Sequence, residues 1–183
     1  MSLKKIGNQT YKLLSPPTIL SNYTIVGPKE GEGPLKNYFD LILEDDIWGQ
    51  ESWEKAECKI QEEAIRSAVD NAKLSLKNID FLIAGDLLNQ IVTTGYSARE
   101  LDIPFFGLYG ACSTMTESLS LGAMLIDGGF ADKVVCATSS HYSTAERQYR
   151  FPLEYAAQRT FSAQWTATGS GATVLSSYGS GPY

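Results

Sequence analysis

An α/β domain on a mixed, largely parallel sheet of five strands is the architecture this sequence predicts. Three observations carry that reading. Short apolar runs of strand length alternate with longer segments of helical period. Glycine and proline punctuate the chain where one kind of segment gives way to the other. The balance of 43% apolar and 20% charged residues in 183 is that of one globular domain with an ordinary core.

Thr18 to Val26 is rich in Thr, Ile and Tyr and reads as the first strand, stopped by Gly27-Pro28. Lys29 to Pro34, charged and glycine-rich, reads as a loop, and a short helix is expected over Tyr38 to Leu43. The clearest helix runs from Ser52 to about Ser75. Ser52 is its N-cap, and Trp53, Ala56, Ile60, Ala64, Ala68 and Ala72 recur at spacings of three and four. The alanines on that face let a helix lie close against a sheet. Ile79 to Ala84 is a short buried strand, Thr94 to Leu101 a helix stopped by Pro104, and Phe105 to Tyr109 the next strand. Ser113 to Asp127 is a helix of small residues ended by Gly128-Gly129. Lys133 to Thr138 is a strand, and after an irregular polar segment Ala172 to Ser176 supplies the last one.

The 15 basic and 21 acidic residues leave a formal net charge of −6, which argues against nonspecific nucleic-acid binding because there is no basic surplus to displace counterions. No run approaches the roughly 20 apolar residues a membrane span requires. The start, Met1-Ser-Leu-Lys-Lys, has no apolar stretch behind its lysines and does not read as a secretory signal. Cys58, Cys112 and Cys136 form neither a disulfide framework nor a metal-ligand spacing, and with His141 the only histidine a zinc site is not expected. The expectation is a soluble protein of a reducing compartment.

The strongest chemical feature is Tyr109-Gly-Ala-Cys112-Ser-Thr114. A strand ends, small residues turn, and a helix begins beyond the cysteine, placing the thiol near unsatisfied N–H groups and the positive end of a helix. That position suits a reactive thiolate or a bound carboxylate, and equally a buried structural cysteine. His141 follows the strand at the edge where α/β ligands sit, as a ligand contact, a partner for Cys112 or a structural residue. Arg147 and Arg150 place two guanidiniums three residues apart, suited to gripping a dicarboxylate or to a solvated ion-pair network. Asp86 and Asn89, just after a strand, would cap the next helix, line a cleft or meet a second subunit.

Taken together, these stretches resemble the thiolase superfamily. Gly85-Asp-Leu-Leu-Asn-Gln90 with Ser97-Ala-Arg99 is similar to its segment leading into an Ala-Arg helix. Gly110-Ala-Cys-Ser-Thr114 with Asp127-Gly-Gly-Phe-Ala-Asp-Lys-Val-Val135 is similar to its nucleophile helix and following strand. Within it, Gly27-Pro-Lys-Glu-Gly-Glu-Gly-Pro-Leu35 and Ala137-Thr-Ser-Ser-His141, continuing through Thr144-Ala-Glu-Arg-Gln-Tyr-Arg-Phe-Pro152 to Glu154-Tyr155, resemble the stage V sporulation protein AD family. The resemblance implies one thiolase-like N-terminal domain over 1–183, with helices on both faces of its sheet and the C-terminal pseudo-repeat of the five-layer fold absent. It implies binding of dipicolinate (pyridine-2,6-dicarboxylate) for uptake into the developing spore, around Cys112, Ser113 and Thr114. His141 and Arg147 are added on charge and position. No cofactor is implied, calcium entering only as the dipicolinate chelate. Implied partners are other proteins of the stage V sporulation operon, membrane proteins among them, and a second copy of the chain; the implied location is cytoplasmic or peripheral at the spore inner membrane. Thiolases complete their catalytic group with histidine or asparagine from the second half, and His141 matches none of those positions, so turnover is not expected. The alternative is a thiolase or ketoacyl-synthase type acyltransferase with Cys112 as the acyl carrier; a third reading gives the Asn89 region an assembly role.

Overall fold

The computed structural model describes residues 4–149, 162, 164 and 166–183. The chain opens with a small antiparallel pair, β1 (Lys5–Ile6) and β2 (Thr10–Tyr11). Asp127 anchors this N-terminal stretch. Its carboxylate accepts the N–H groups of Leu14 (2.9 Å) and Ser15 (2.6 Å) and pairs with Lys4 at 2.7 Å. Those donors, Lys4 first, hold its carboxyl below the usual carboxylate range.

Then comes β3 (Thr18–Val26), with the bounds its composition predicts. The stretch after it departs from expectation. Pro28–Gly31 is one helical turn (α1), with proline at the first helical position where its missing N–H costs nothing. The helix expected over Tyr38 to Leu43 is instead a 3₁₀ turn, Lys36–Tyr38, and a short edge strand, β4 (Leu41–Ile42), parallel to the end of β3. The physical reason is Asp40. Its carboxylate takes the N–H of Thr24 at 2.8 Å and the Thr24 hydroxyl at 2.7 Å, laying the segment alongside β3 rather than letting it coil.

α2 (Trp53–Asn71) begins where Ser52 Oγ accepts the Lys55 N–H at 3.3 Å. It crosses the sheet with Ile60, Ala64, Ile65, Ala68 and Val69 buried. Each of the larger three contributes roughly 1.5–3 kcal/mol relative to exposure. β5 (Phe81–Gly85), α3 (Val92–Leu101) and β6 (Phe105–Gly107) come next, then a 3₁₀ turn at Ala111–Ser113, α4 (Thr114–Asp127) and β7 (Lys133–Ser140). The segment read as irregular after His141 holds a helix, α5 (Tyr142–Tyr149). β8 (Gly169–Ser176) completes the sheet.

Strand order is β4-β3-β8-β7-β5-β6. The expected five strands are all present, and β4 adds a two-residue sixth at the edge. The β3–β4, β5–β6 and β5–β7 ladders are parallel; β8 runs antiparallel to both β3 and β7. Side chains alternate across the sheet as the pleat requires. Leu82, Ala84, Val135, Ala137, Ala172 and Val174 join the core under α2, whereas Ile83, Val134, Cys136 and Leu175 join Ile126 of α4 on the other face. α4 comes close because residue 122 is glycine: a Cβ there would stand 2.9 Å from Cys136 Sγ and 3.1 Å from Leu175 Cδ1.

Candidate functional site

The carboxyl ends of the parallel strands β5, β6 and β7 converge where chain crossovers leave a crevice. Gly85 closes β5 there, and any Cβ on it would run into the Leu108 carbonyl, so the backbone that leads from β6 to the cysteine turn packs directly on the strand end. The Leu108 N–H donates to Ala84 O at 2.9 Å and fixes that approach. The turn then passes through Ala111 at φ 48°, a left-handed conformation that costs a non-glycine residue about 1–2 kcal/mol. Cys112 comes next and is exposed.

A cleft of about 880 Å³ opens beside it. Its lining includes Cys112, Met115, Leu87, Ile25, Val26 and Phe39, together with the segments Thr138 to Ser140 and Thr168 to Gly171. Among the described residues that line it, Glu30 carries the sole formal charge. One Glu30 oxygen accepts the Thr168 N–H at 3.2 Å, and the other is buried with no hydrogen-bond partner.

The structure separates the residues singled out from the sequence. Cys112 lines the cleft. Ser113 is the last residue before α4, and its hydroxyl turns back to donate to the Gly110 carbonyl at 2.8 Å. Thr114 is buried under the turn, its hydroxyl oxygen without a partner. Glu117, in the first turn of α4, reaches toward the space that a Cβ on Gly110 would fill, so a carboxylate already stands at this helix end.

His141 is fully buried and is not part of the cleft wall. Its Nε2 lies 2.7 Å from the Asp46 carbonyl oxygen and its Nδ1 accepts the Ser143 N–H at 3.2 Å. A ring protonated on Nε2 satisfies both contacts, and the imidazole thereby ties the Asp46 loop to the β7–α5 corner. Arg147 belongs to the backbone of α5, but its side chain, like all of Arg150, lies outside the described residues.

Sequence reasoning singled out Asp86 but missed the polar cluster that it joins on the α2 side, with Glu57 at its centre. Asp86, buried after β5, accepts the Leu88 N–H, the Thr94 N–H and the Thr94 hydroxyl, each at 2.7 Å. It therefore caps α3, as its place after a strand suggested. Glu57, 1% exposed, accepts hydroxyl protons from Ser139 and Thr144, both at 2.9 Å. Burial, and after it the neighbouring charge of Asp86, pushes the Glu57 carboxyl up to about 7, against the pull of its hydroxyl donors. The Thr93 hydroxyl also faces this carboxylate without meeting hydrogen-bond geometry. A signal was present in the sequence: Glu57 and Gln61 stand four apart beside the Ile60 and Ala64 stripe, two polar residues on a face turned to the core.

Burial also pushes the thiols of Cys58 and Cys136 up to about 12, so of the three cysteines only Cys112 combines exposure with a cleft. Among the described residues no group of three or more histidine, cysteine, aspartate or glutamate side chains is arranged to hold a metal.

Solved structures of the same architecture include 3-oxoacyl-[acyl-carrier-protein] synthase III from Aquifex aeolicus, with a TM-score of 0.59 and 17% identity, covering 87% of this chain and 53% of that one. A variant of Xanthomonas campestris OleA matches with a TM-score of 0.61 and 16% identity over 90% of this chain and 57% of its own. At such identities the likeness is one of fold, that of the N-terminal halves of these thiolase-like proteins. Sequence goes further. Stage V sporulation protein AD of Bacillus subtilis (strain 168) is 47% identical over 174 residues, 95% of this chain and 52% of that protein. The chain thus spans about half the length of the curated relative it matches. The family model for stage V sporulation protein AD matches residues 7–183, which takes in the cysteine turn, the cleft and both buried carboxylates. By that match and that identity, the chain belongs to the stage V sporulation protein AD family.

Proposed function

We propose that this sporulation protein binds dipicolinate for uptake into the developing spore, in the cleft beside Cys112, and does not turn over thioesters. The observation that favours binding in this half is the placement of His141, the chain's only histidine. Acyl transfer from a cysteine needs a base and an oxyanion hole converging on the thiol, and this half turns His141 to Asp46 and Ser143 instead, so it brings no histidine to Cys112. The choice of dipicolinate rests on the family, and the largely apolar lining of the cleft suits the faces of a planar ligand. The described lining holds no cation, so this reading assigns the counter-charge to Arg147. Calcium enters only as the chelate of the ligand. The working assembly includes other proteins of the stage V sporulation operon, some of them in the membrane, and a second copy of the chain. This reading places the chain in the cytoplasm or peripherally at the spore inner membrane; among the described residues no helix is long and apolar enough to cross a bilayer.

Calorimetric titration of dipicolinate into this chain, and into a version extended to the full length of its curated relative, tests the proposal. Binding to the extended protein is expected, weakened about tenfold or more by Cys112→Ala or Arg147→Ala, the loss associated with a charge-assisted contact. The second reading, acyl transfer with Cys112 as carrier, is favoured by the exposure of that thiol on a strained turn. Absence of dipicolinate binding together with acylation of Cys112 by an acyl-CoA would establish it in place of the first.

A further inference from the structure

Four elements place neutral groups around a buried carboxylate that has no counter-charge among the described residues. Glu57 on α2 receives Ser139 from the end of β7 and Thr144 from α5, with Thr93 of α3 facing it and Gln61 one turn further along α2. The charged group beside it is another acid, Asp86, at the end of β5. Cys58 adjoins it on α2 as a neutral thiol, and His141 at the β7–α5 corner is held by Asp46 and Ser143. Among the described residues no lysine or arginine lies within ion-pair distance of Glu57.

Both charge states of this carboxyl fit without moving a heavy atom. When it is ionised, the Thr144 hydroxyl donates to it at 2.9 Å. When it is protonated, Thr144 can rotate its proton to the His141 carbonyl, 3.1 Å away, and accept from Glu57. Gln61 Oε1, buried and unpartnered, is a further acceptor on the same helix face. Ser139 connects this cluster to the ligand space, since it bonds Glu57 and also contributes to the cleft wall.

We propose that Glu57 is a proton-linked positioning residue of the cleft, taking up one proton from solvent when an anion enters beside Ser139. The inference rests on the reading of the cleft as an anion site. An incoming anion adds negative charge near a carboxylate that already faces Asp86, which favours its neutral form; by reciprocity, the protonated protein binds the anion more tightly. The neutral carboxyl keeps the β7–α5 corner tied to α2, so charge changes while shape does not.

The test is calorimetry of dipicolinate between pH 6 and 8, in two buffers of different ionisation heat, on the protein extended to the full length of its curated relative and on its Glu57→Gln variant. Expected are uptake of roughly half to one proton per ligand near pH 7.5 and an affinity that falls up to about tenfold per pH unit above pH 7, both lost in Glu57→Gln. Ser139→Ala removes one hydrogen bond to the ionised form and is expected to move the midpoint of the pH profile upward. Equal proton uptake in the extended protein and its Glu57→Gln variant, or an unmoved midpoint in Ser139→Ala, would overturn the inference and leave the binding site standing. Absence of dipicolinate binding to all three proteins would overturn the anion reading and the linked uptake with it. Ligand-free urea unfolding then decides the proton-carrying role alone. From pH 4.5 to 7 the folded protein keeps a proton that the unfolded chain releases, so its unfolding constant should rise about tenfold per pH unit more steeply than that of Glu57→Gln. Parallel profiles would overturn that role too.

Discussion

The two faces of the central sheet are covered by helices of opposite habit. α2 buries eight of its residues, from Ala56 to Val69, in a broad stripe that includes Glu57 and Gln61. α4 buries only Thr114, Ser118, Gly122 and Ile126, one residue per turn, although its sequence is the more apolar of the two. Leu121 and Met124 on its outer side are 39% and 45% exposed, and Phe130 just beyond it is 74% exposed. The helix with polar residues inside is sealed, and the helix with apolar residues outside is half open. The side chains of α4 not used by this sheet suit a second layer of protein, whereas the outer residues of α2 are polar apart from Trp53 at its first turn.

Mutations can break that comparison. Ile60→Ala, fully buried under α2, should lower stability by about 2–5 kcal/mol in chemical denaturation, while Leu121→Ala should change it by less than about 0.5 kcal/mol. Equal losses would mean that the faces are packed alike. Gly122→Leu tests how tightly α4 is seated: with Cys136 Sγ 2.9 Å from where a Cβ would stand, helix and sheet must part, at about 1–3 kcal/mol. A neutral result would show α4 free to slide. The smallest effect on stability, and the most informative for assembly, is Leu121→Lys. Sedimentation should show self-association of the parent chain and a shift toward monomer in the variant, at little cost to the monomer's own stability. A parent chain that sediments as a clean monomer would leave the outer face of α4 without that partner.

Much of this was legible in the chain. β3 has the limits its β-branched residues mark, and Ser52 caps α2 because apolar periodicity begins directly after it. Apolar period has limits where polar contacts decide. It said nothing of α5, whose buried Thr144 donates its hydroxyl proton to Glu57. It mistook 38–43 for a helix because Asp40 bonds Thr24, a contact between residues 16 apart that no local window contains. At the site, the turn bearing Cys112 was readable from its small residues, but the strained φ of Ala111 was not, since alanine gives no sign of a left-handed backbone. His141 shows the same boundary from the other side: its place after β7 was legible, and its commitment to Asp46, 95 residues away, was not.

The antiparallel seating of β8 has a consequence for how the molecule comes into being. Residues 169–176 supply the strand that lies between β3 and β7, among the described residues the only bridge joining the N-terminal strand to the parallel unit formed by β5, β6 and β7. On a chain emerging from the ribosome, that parallel unit with α3 and α4 has its partners early, but β3 must wait for some 140 further residues before its long ladder can form. Until then the sheet has two open edges facing each other across a missing strand, the state in which a nascent chain is most exposed to pairing with the wrong partner.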